Sequence, residues 1–287
     1  DPNAEMSEPE EPIVFWVENT TPEEIIPAVV AGIENWNMAF EEAGFINAVV
    51  AKIQPKDAEW DAADYDYNVV RWSSEPDGNL LGIGPSVTNP LTGEIISGDV
   101  VNKLLAVKVG YNYRKLYGYT EDNDPLMQYI TNLTLHEVGH VLGLRHNFRG
   151  SYLYSPAEIH NKEITGKTLM SSVMDYDPIN VAPEGTEQGI YFSTVPGVYD
   201  KWAIKFGYTP GLTDEERTEI LRQSVKRELS FGTDEEAMSS PGNNIDPRTK
   251  RYDMSNDPIS YAEDIIEIVD QKITELPEIF ADEEGFN

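Results

Sequence analysis

Three of the chain's four histidines fall within the string HEVGHVLGLRH, at His136, His140 and His146. Neutral imidazole is a common zinc ligand. His136 and His140 are four residues apart, so on a helix they stand one above the other, with Cβ atoms about 5–6 Å apart. Both rings can then reach one ion. A third ring cannot reach it at tetrahedral geometry from the same short helix, so the chain must turn. Gly143 permits the left-handed backbone that ends a helix sharply, and three residues later His146 can close the triangle.

Three neutral imidazoles leave zinc with its full charge and an open position, the mark of a catalytic rather than a structural site. Water at such a position ionises near pH ~7. Glu137, beside His136, can lean over the open side and accept the proton. His160 lies outside the cluster, in an irregular polar stretch, and is expected to be a surface side chain.

The elements that would position these residues are legible nearby. Asp124 can cap a helix with Pro125 inside its start. Leu126, Ile130, Leu133 and Val141 share one face of that helix, which carries the histidines in its last turns. Upstream, TPEE (21–24) predicts a helix capped by Thr21 with Glu24 completing a capping box, and Pro27 as a local cost. Ile25, Val29, Ile33, Trp36 and Phe40 form its apolar face, and Gly44 its stop. Strands are predicted at 13–19, 45–53, 67–72, 80–87 and 95–104, with TNPLTG (88–93) as the turn between the last two. The fourth, LLGIGPSV, contains Gly82, Gly84 and Pro85, which suit a sheet edge. After Gly150 the chain is loop-rich. Later helices are predicted at 197–208 with a glycine stop, from the box TDEE (213–216), and from Asp257–Pro258 to about Glu275.

With 51 acids against 21 bases the net charge is −30. Such a surface repels phosphate backbones and anionic membranes, so nucleic acid is excluded as a partner. The basic clusters Arg222/Lys226/Arg227 and Arg248/Lys250/Arg251 read as solvated faces. With no cysteine, disulfides and thiolate zinc sites are excluded. No apolar run approaches the ~18–20 residues of a membrane span, so no membrane insertion is expected. The chain begins at Asp1, which fits a piece of a longer precursor.

HEVGHVLGLRH resembles the long zinc motif of the metzincin metalloproteases. SSVMDY (171–176) resembles their methionine turn, with Met174 in the turn. Extended to HEVGHVLGLRHNF with SVMDY downstream, the pattern is similar to the bacterial Met-zincin family of zinc-dependent proteases. The resemblance covers about residues 12–210. It implies an α+β fold: a metzincin-like domain with a twisted, mostly parallel five-stranded sheet, a long helix and the zinc-motif helix, plus a mainly irregular and helical C-terminal subdomain. The expected organisation is an acidic linker (1–11), an N-terminal catalytic subdomain (12–150), a C-terminal catalytic subdomain with the Met turn (151–210) and a helical extension (211–287).

For the site, the resemblance implies Zn2+ held by His136, His140 and His146, with Gly143 and Met174 as structural support. Glu137 would be the general base. Tyr176 takes the place at which astacin-like and serralysin-like enzymes use a tyrosine to bind zinc or steady an oxyanion; its other reading is a packing tyrosine. Asn147 departs from the glutamate of astacins and the aspartate of adamalysins. The implied activity is that of an endopeptidase, acting on a peptide or protein bound as an extended strand along LLGIGPSV, in a secreted or periplasmic setting. A catalytically silent zinc-containing peptide-binding module and a metal hydrolase of non-peptide amides are the alternatives.

Overall fold

Runs of β-branched residues bounded by turn formers build the sheet. The computed structural model describes residues 4–74, 81–237 and 246–281. Within them the strands are β1 (Ile13–Val17), β2 (Val49–Ile53), β3 (Asn68–Ser73), β4 (Gly82–Ile83), β5 (Ser86–Thr88) and β6 (Ile95–Lys103). Their order is β2-β1-β3-β6-β4, with β5 also paired to β6. The pairs β1–β2, β1–β3 and β3–β6 are parallel, whereas β4 and β5 run antiparallel to β6.

The mostly parallel sheet of an α+β domain is therefore present, with six strands instead of five. The predicted fourth strand is broken in two at Gly84–Pro85. A Cβ on Gly84 would lie 2.2 Å from the Glu137 carbonyl oxygen, so the edge rests directly on the helix beneath. Leu80, the first residue of that predicted strand, lies outside the described residues.

Among the described residues the helices are α1 (Ile26–Glu34), α2 (Asn37–Phe40), α3 (Leu104–Tyr117), α4 (Pro125–Val141), α5 (Lys162–Thr165), α6 (Val198–Tyr208), α7 (Asp214–Arg222), α8 (Asp234–Ala237) and α9 (Pro258–Ile279). The predicted helix from Thr21 starts later. A helix begun there would need the N–H that Pro27 lacks. It begins instead at Ile26, with Pro27 in its first turn, and it is interrupted before α2. Glu24 forms no capping box; it takes Arg114 at 2.6 Å. The apolar face is as read: Ile25, Val29, Ile33, Trp36 and Phe40 are all buried. Gly44 ends the segment in the left-handed conformation.

Helix α3 was not expected. It packs on α4 through Gly110, where a Cβ would stand 2.4 Å from Leu126 Cδ1. In α6, Gly207 is internal rather than a stop. Helix α7 has the predicted box, with Glu216 N–H donating to Thr213 Oγ1 and Thr213 N–H to Glu216 Oε2. No helix among the described residues is long and apolar enough to cross a membrane.

The main core lies between the sheet and the α1–α4 pair. Phe15, Val17, Val70 and Val100 from the strands meet Val29, Ile33, Trp36, Ile130 and Val138 from the helices. Each such fully buried side chain contributes about 1.5–3 kcal/mol, which locks α4 in place under the sheet. A second cluster, Ile159, Leu169, Met170, Met254 and Tyr261, fastens the loop-rich segment to α9.

Candidate metal centre

Helix α4 starts as predicted: Asp124 accepts from the Leu126 N–H at 3.0 Å, with Pro125 in the first turn. At its other end the chain reverses at Gly143, whose φ is 94°. The Gly143 N–H donates to His140 O and the Leu144 N–H to Gly139 O, both at 3.0 Å. This pair of bonds is a Schellman motif, which needs a residue free to adopt positive φ. The reversal turns the Leu144 carbonyl back onto His140 and carries His146 round to face the helix.

Each ring is oriented through its Nδ1–H. His136 donates to Val173 O at 2.8 Å, His140 to Leu144 O at 2.9 Å and His146 to Asp234 Oδ1 at 2.8 Å. That leaves every Nε2 lone pair pointing inward. His140 Nε2 stands 3.2 Å from Nε2 of both His136 and His146. Around a tetrahedral zinc with Zn–N of about 2.0–2.1 Å, ligand nitrogens stand about 3.4 Å apart. Burial, reinforced by the neighbouring imidazoles, holds the His136 ring well below its usual pKa, and burial lowers His140 as well. Neutral rings with converging lone pairs repel one another and suit a shared cation. The donor set therefore fits a metal held by three nitrogens.

The Met turn lies directly beneath. Met174 is fully buried, and a Cβ on Gly139 would fall 2.4 Å from its sulfur, so the zinc-motif helix rests on it at a glycine. Asp200 at the start of α6 accepts from Ser172 Oγ at 2.6 Å, Val173 N–H at 2.8 Å and Gly197 N–H at 2.8 Å. That fixes the Val173 carbonyl used by His136. Burial pushes the Asp200 carboxyl up to about 6.

Glu137 is 5% exposed. Burial pushes its carboxyl up to about 8. A Cβ on Gly82 would stand 2.6 Å from its Oε1, so β4 covers the carboxylate only because that position has no side chain. Tyr176 packs edge-on to His146, with ring centroids 4.8 Å apart, and 5.4 Å from the His136 ring. Burial, with the Glu137 carboxylate next in importance, pushes its phenol up to about 12. One cavity of about 150 Å³ is lined by His136, Glu137 and Tyr176 together.

The predicted residues thus assemble, while His160 does not join them. It is also no surface side chain: it is half-buried, its Nδ1 is enclosed without a hydrogen-bond partner among the described residues, and burial lowers its pKa.

Sequence reasoning missed Asp234, the partner of His146. A signal existed: Thr233–Glu236 repeats the string TDEE of the α7 cap, and the Thr233 N–H donates to Glu236 Oε2 at 2.9 Å. Asn147 joins two segments of the chain. It is fully buried; its N–H donates to Met174 O at 3.0 Å, its Nδ2 to Ser230 O at 3.1 Å, and its Oδ1 accepts from the Gly232 N–H at 3.2 Å. A carboxylate could not donate to Ser230 O. Through its backbone N–H on one side and its side-chain amide on the other, Asn147 ties the Met turn to the segment that delivers Asp234.

The sequence profile described as Met-zincin matches residues 119–287. No curated protein and no solved structure matches the chain. The matched span contains the whole of α4, the Met turn and the C-terminal segment with Asp234.

Proposed function

The chain belongs to the Met-zincin family and has a metalloprotease-type fold, and from this we propose that it is a zinc-dependent endopeptidase. The observation that carries the reading is the convergence of three inward-facing Nε2 atoms beside a buried carboxylate, with His136 and Glu137 on one cavity. His136, His140 and His146 would hold the ion. Zinc supplies Lewis acidity at such a site, polarising a carbonyl and making water acidic enough to ionise near neutral pH.

The chain's own residues supply the rest. A substrate in extended form adds to the edge at β4 and β5, where backbone hydrogen bonds give generic affinity. Glu137 accepts a proton on its carboxylate and returns it to the leaving amine. Burial raises the carboxyl's proton affinity, which suits the return step, and a nearby dication offsets that rise. Tyr176 donates from its phenol to the oxyanion of the substrate. Met174 and Gly143 touch nothing that reacts; they hold the rings. The clan's usual setting supports action outside the cytoplasm.

The test is a quenched peptide library incubated with the metal-replete chain, with and without a chelator. Cleavage that stops with chelator and returns with zinc supports the reading. Tight peptide binding without cleavage would mean a binding module, and turnover of small amides alone would mean a different hydrolase. For Tyr176→Phe, kcat is expected to fall by about tenfold, the cost of one hydrogen bond of about 1.5 kcal/mol to the oxyanion, with zinc content unchanged. An unaltered kcat would leave Tyr176 as a packing residue.

A further inference from the structure

The cavity beside Glu137 runs away from the histidines along α4, past Leu133 and Asn132 towards Tyr129. Asn132 precedes His136 by four residues, or about 6 Å of helix rise. Leu81 and Leu133 give the cavity apolar walls, and its far end holds Asp177. Asn132 Nδ2 donates to Asp177 Oδ2 at 3.3 Å, and the Ser193 backbone N–H supports the same carboxylate. Both donors are neutral. Among the described residues no lysine or arginine lines the cavity.

The other aspartate there is already committed. Asp175 is 2% exposed, and its oxygens accept from the Tyr176 and Ser151 N–H groups at 2.8 and 3.1 Å. Burial, with Asp253 nearby, holds its carboxyl well above the usual range. Asp177, whose carboxyl burial also pushes up to about 7, is only half-buried; it is the aspartate a ligand in the cavity can reach, and among the described residues it has no cationic partner. Enclosing a carboxylate without a counter-charge is unfavourable unless something cationic joins it.

The rim adds a second, independent observation. Tyr252 has φ 63°, a left-handed conformation that is uncommon for a tyrosine. Its N–H is fixed to Tyr176 O at 3.0 Å. The strained backbone sets the exposed Tyr252 ring nearly parallel to that of Tyr176, with centroids 5.7 Å apart. Strain of this kind persists where surrounding structure holds it, and it clusters at binding sites. Aromatic faces at the mouth of a cavity favour a cation entering it.

We propose that this cavity is a specificity pocket for a basic side chain, lysine or arginine, of the substrate residue adjoining the cleaved bond, with Asp177 as the specificity-determining carboxylate. The assignment rests on the endopeptidase reading above. The apolar walls take the methylene stem, and Asp177 meets the charged end across the length of about one helical turn.

The test uses hexapeptides carrying Lys, Arg, Leu or Glu on either side of the scissile bond. At one of these positions kcat/KM for Lys or Arg is expected to exceed that for Leu by about tenfold or more, and the ratio should fall by about tenfold in Asp177→Asn. Binding of the same peptides to Glu137→Gln, read by calorimetry, should show the same ranking without turnover. Chelator-sensitive cleavage that favours Leu, or no residue, would overturn the pocket and leave the endopeptidase reading standing. If nothing is cleaved, that reading fails, and the calorimetric ranking alone decides the pocket. Should Asp177→Asn fail to fold, the wild-type ranking and the Glu137→Gln binding still decide it.

Discussion

The Glu137→Gln variant is expected to bind zinc as the wild type does and to cleave peptides about 10²–10⁴-fold more slowly, the usual range for loss of a positioned acid–base group. The metal is spared because every proposed ligand is an imidazole and every imidazole is oriented by some other group: Val173 O, Leu144 O or Asp234. The fold is spared because glutamine has the shape of glutamate, and Gly82 leaves room for that shape and little more. What is lost is the proton acceptor. His140→Ala removes the ring central to the cluster, within 3.2 Å of both others, and should lose zinc and turnover together. Metal content by elemental analysis and kcat/KM on one peptide separate the two patterns. Wild-type rates in Glu137→Gln would remove Glu137 from the mechanism. Loss of zinc in it would mean that the carboxylate is a ligand.

What could be read from the sequence was what local chemistry dictates. The histidine spacing, the Asp124 cap and the Gly143 reversal each involve residues within one or two turns of one another, and each stands as read. So does the Gly44 stop. Most of the errors share a cause: distant residues decided the outcome. LLAVKVGYNYRKLY mixes β-branched and aromatic residues around a glycine, a poor helix by propensity. It becomes α3 because Gly110 lets it seat against Leu126. The Thr21 box failed because Pro27 lacks the N–H that a helix from Thr21 requires, and because Glu24 is drawn to Arg114 from a distant part of the chain. The edge strand broke where Gly84 meets the backbone of Glu137. His160 was misjudged because the polar stretch around it folds back: a Cβ on Gly189 would touch His160 Cα at 2.9 Å. Asp234 could not be singled out at all, being one of 51 acids and 88 residues from the histidine it serves.

That distance makes Asp234→Ala the most informative test of the C-terminal segment, and it is expected to weaken zinc binding about 10–100-fold, the usual cost of removing a carboxylate that orients a metal-bound histidine. His136 and His140 are carried by a rigid helix and steadied by backbone carbonyls that no side-chain substitution removes. His146 lies past the reversal, on irregular chain. Its ring is held by Asp234 Oδ1 at 2.8 Å and by stacking on Phe148, with ring centroids 5.0 Å apart. Stacking fixes the plane of the ring but not its rotation within that plane. Without Asp234 the ring can turn its Nε2 away from the ion, and the imidazole also loses the basicity that an Nδ1–H···carboxylate bond confers.

Asp234→Asn should fall between, because an amide oxygen still accepts the bond without the charge. The nearby Arg145–Glu235 ion pair, at 2.8 Å on an exposed surface, is worth about 0–1 kcal/mol and cannot substitute. Competition with a chelating indicator reads the affinity, and the melting temperature of the metal-free variant guards against a folding defect. An unchanged affinity would show that stacking and the Gly143 reversal hold His146 unaided. The segment tied in by Asn147 would then pack against the centre without forming part of it.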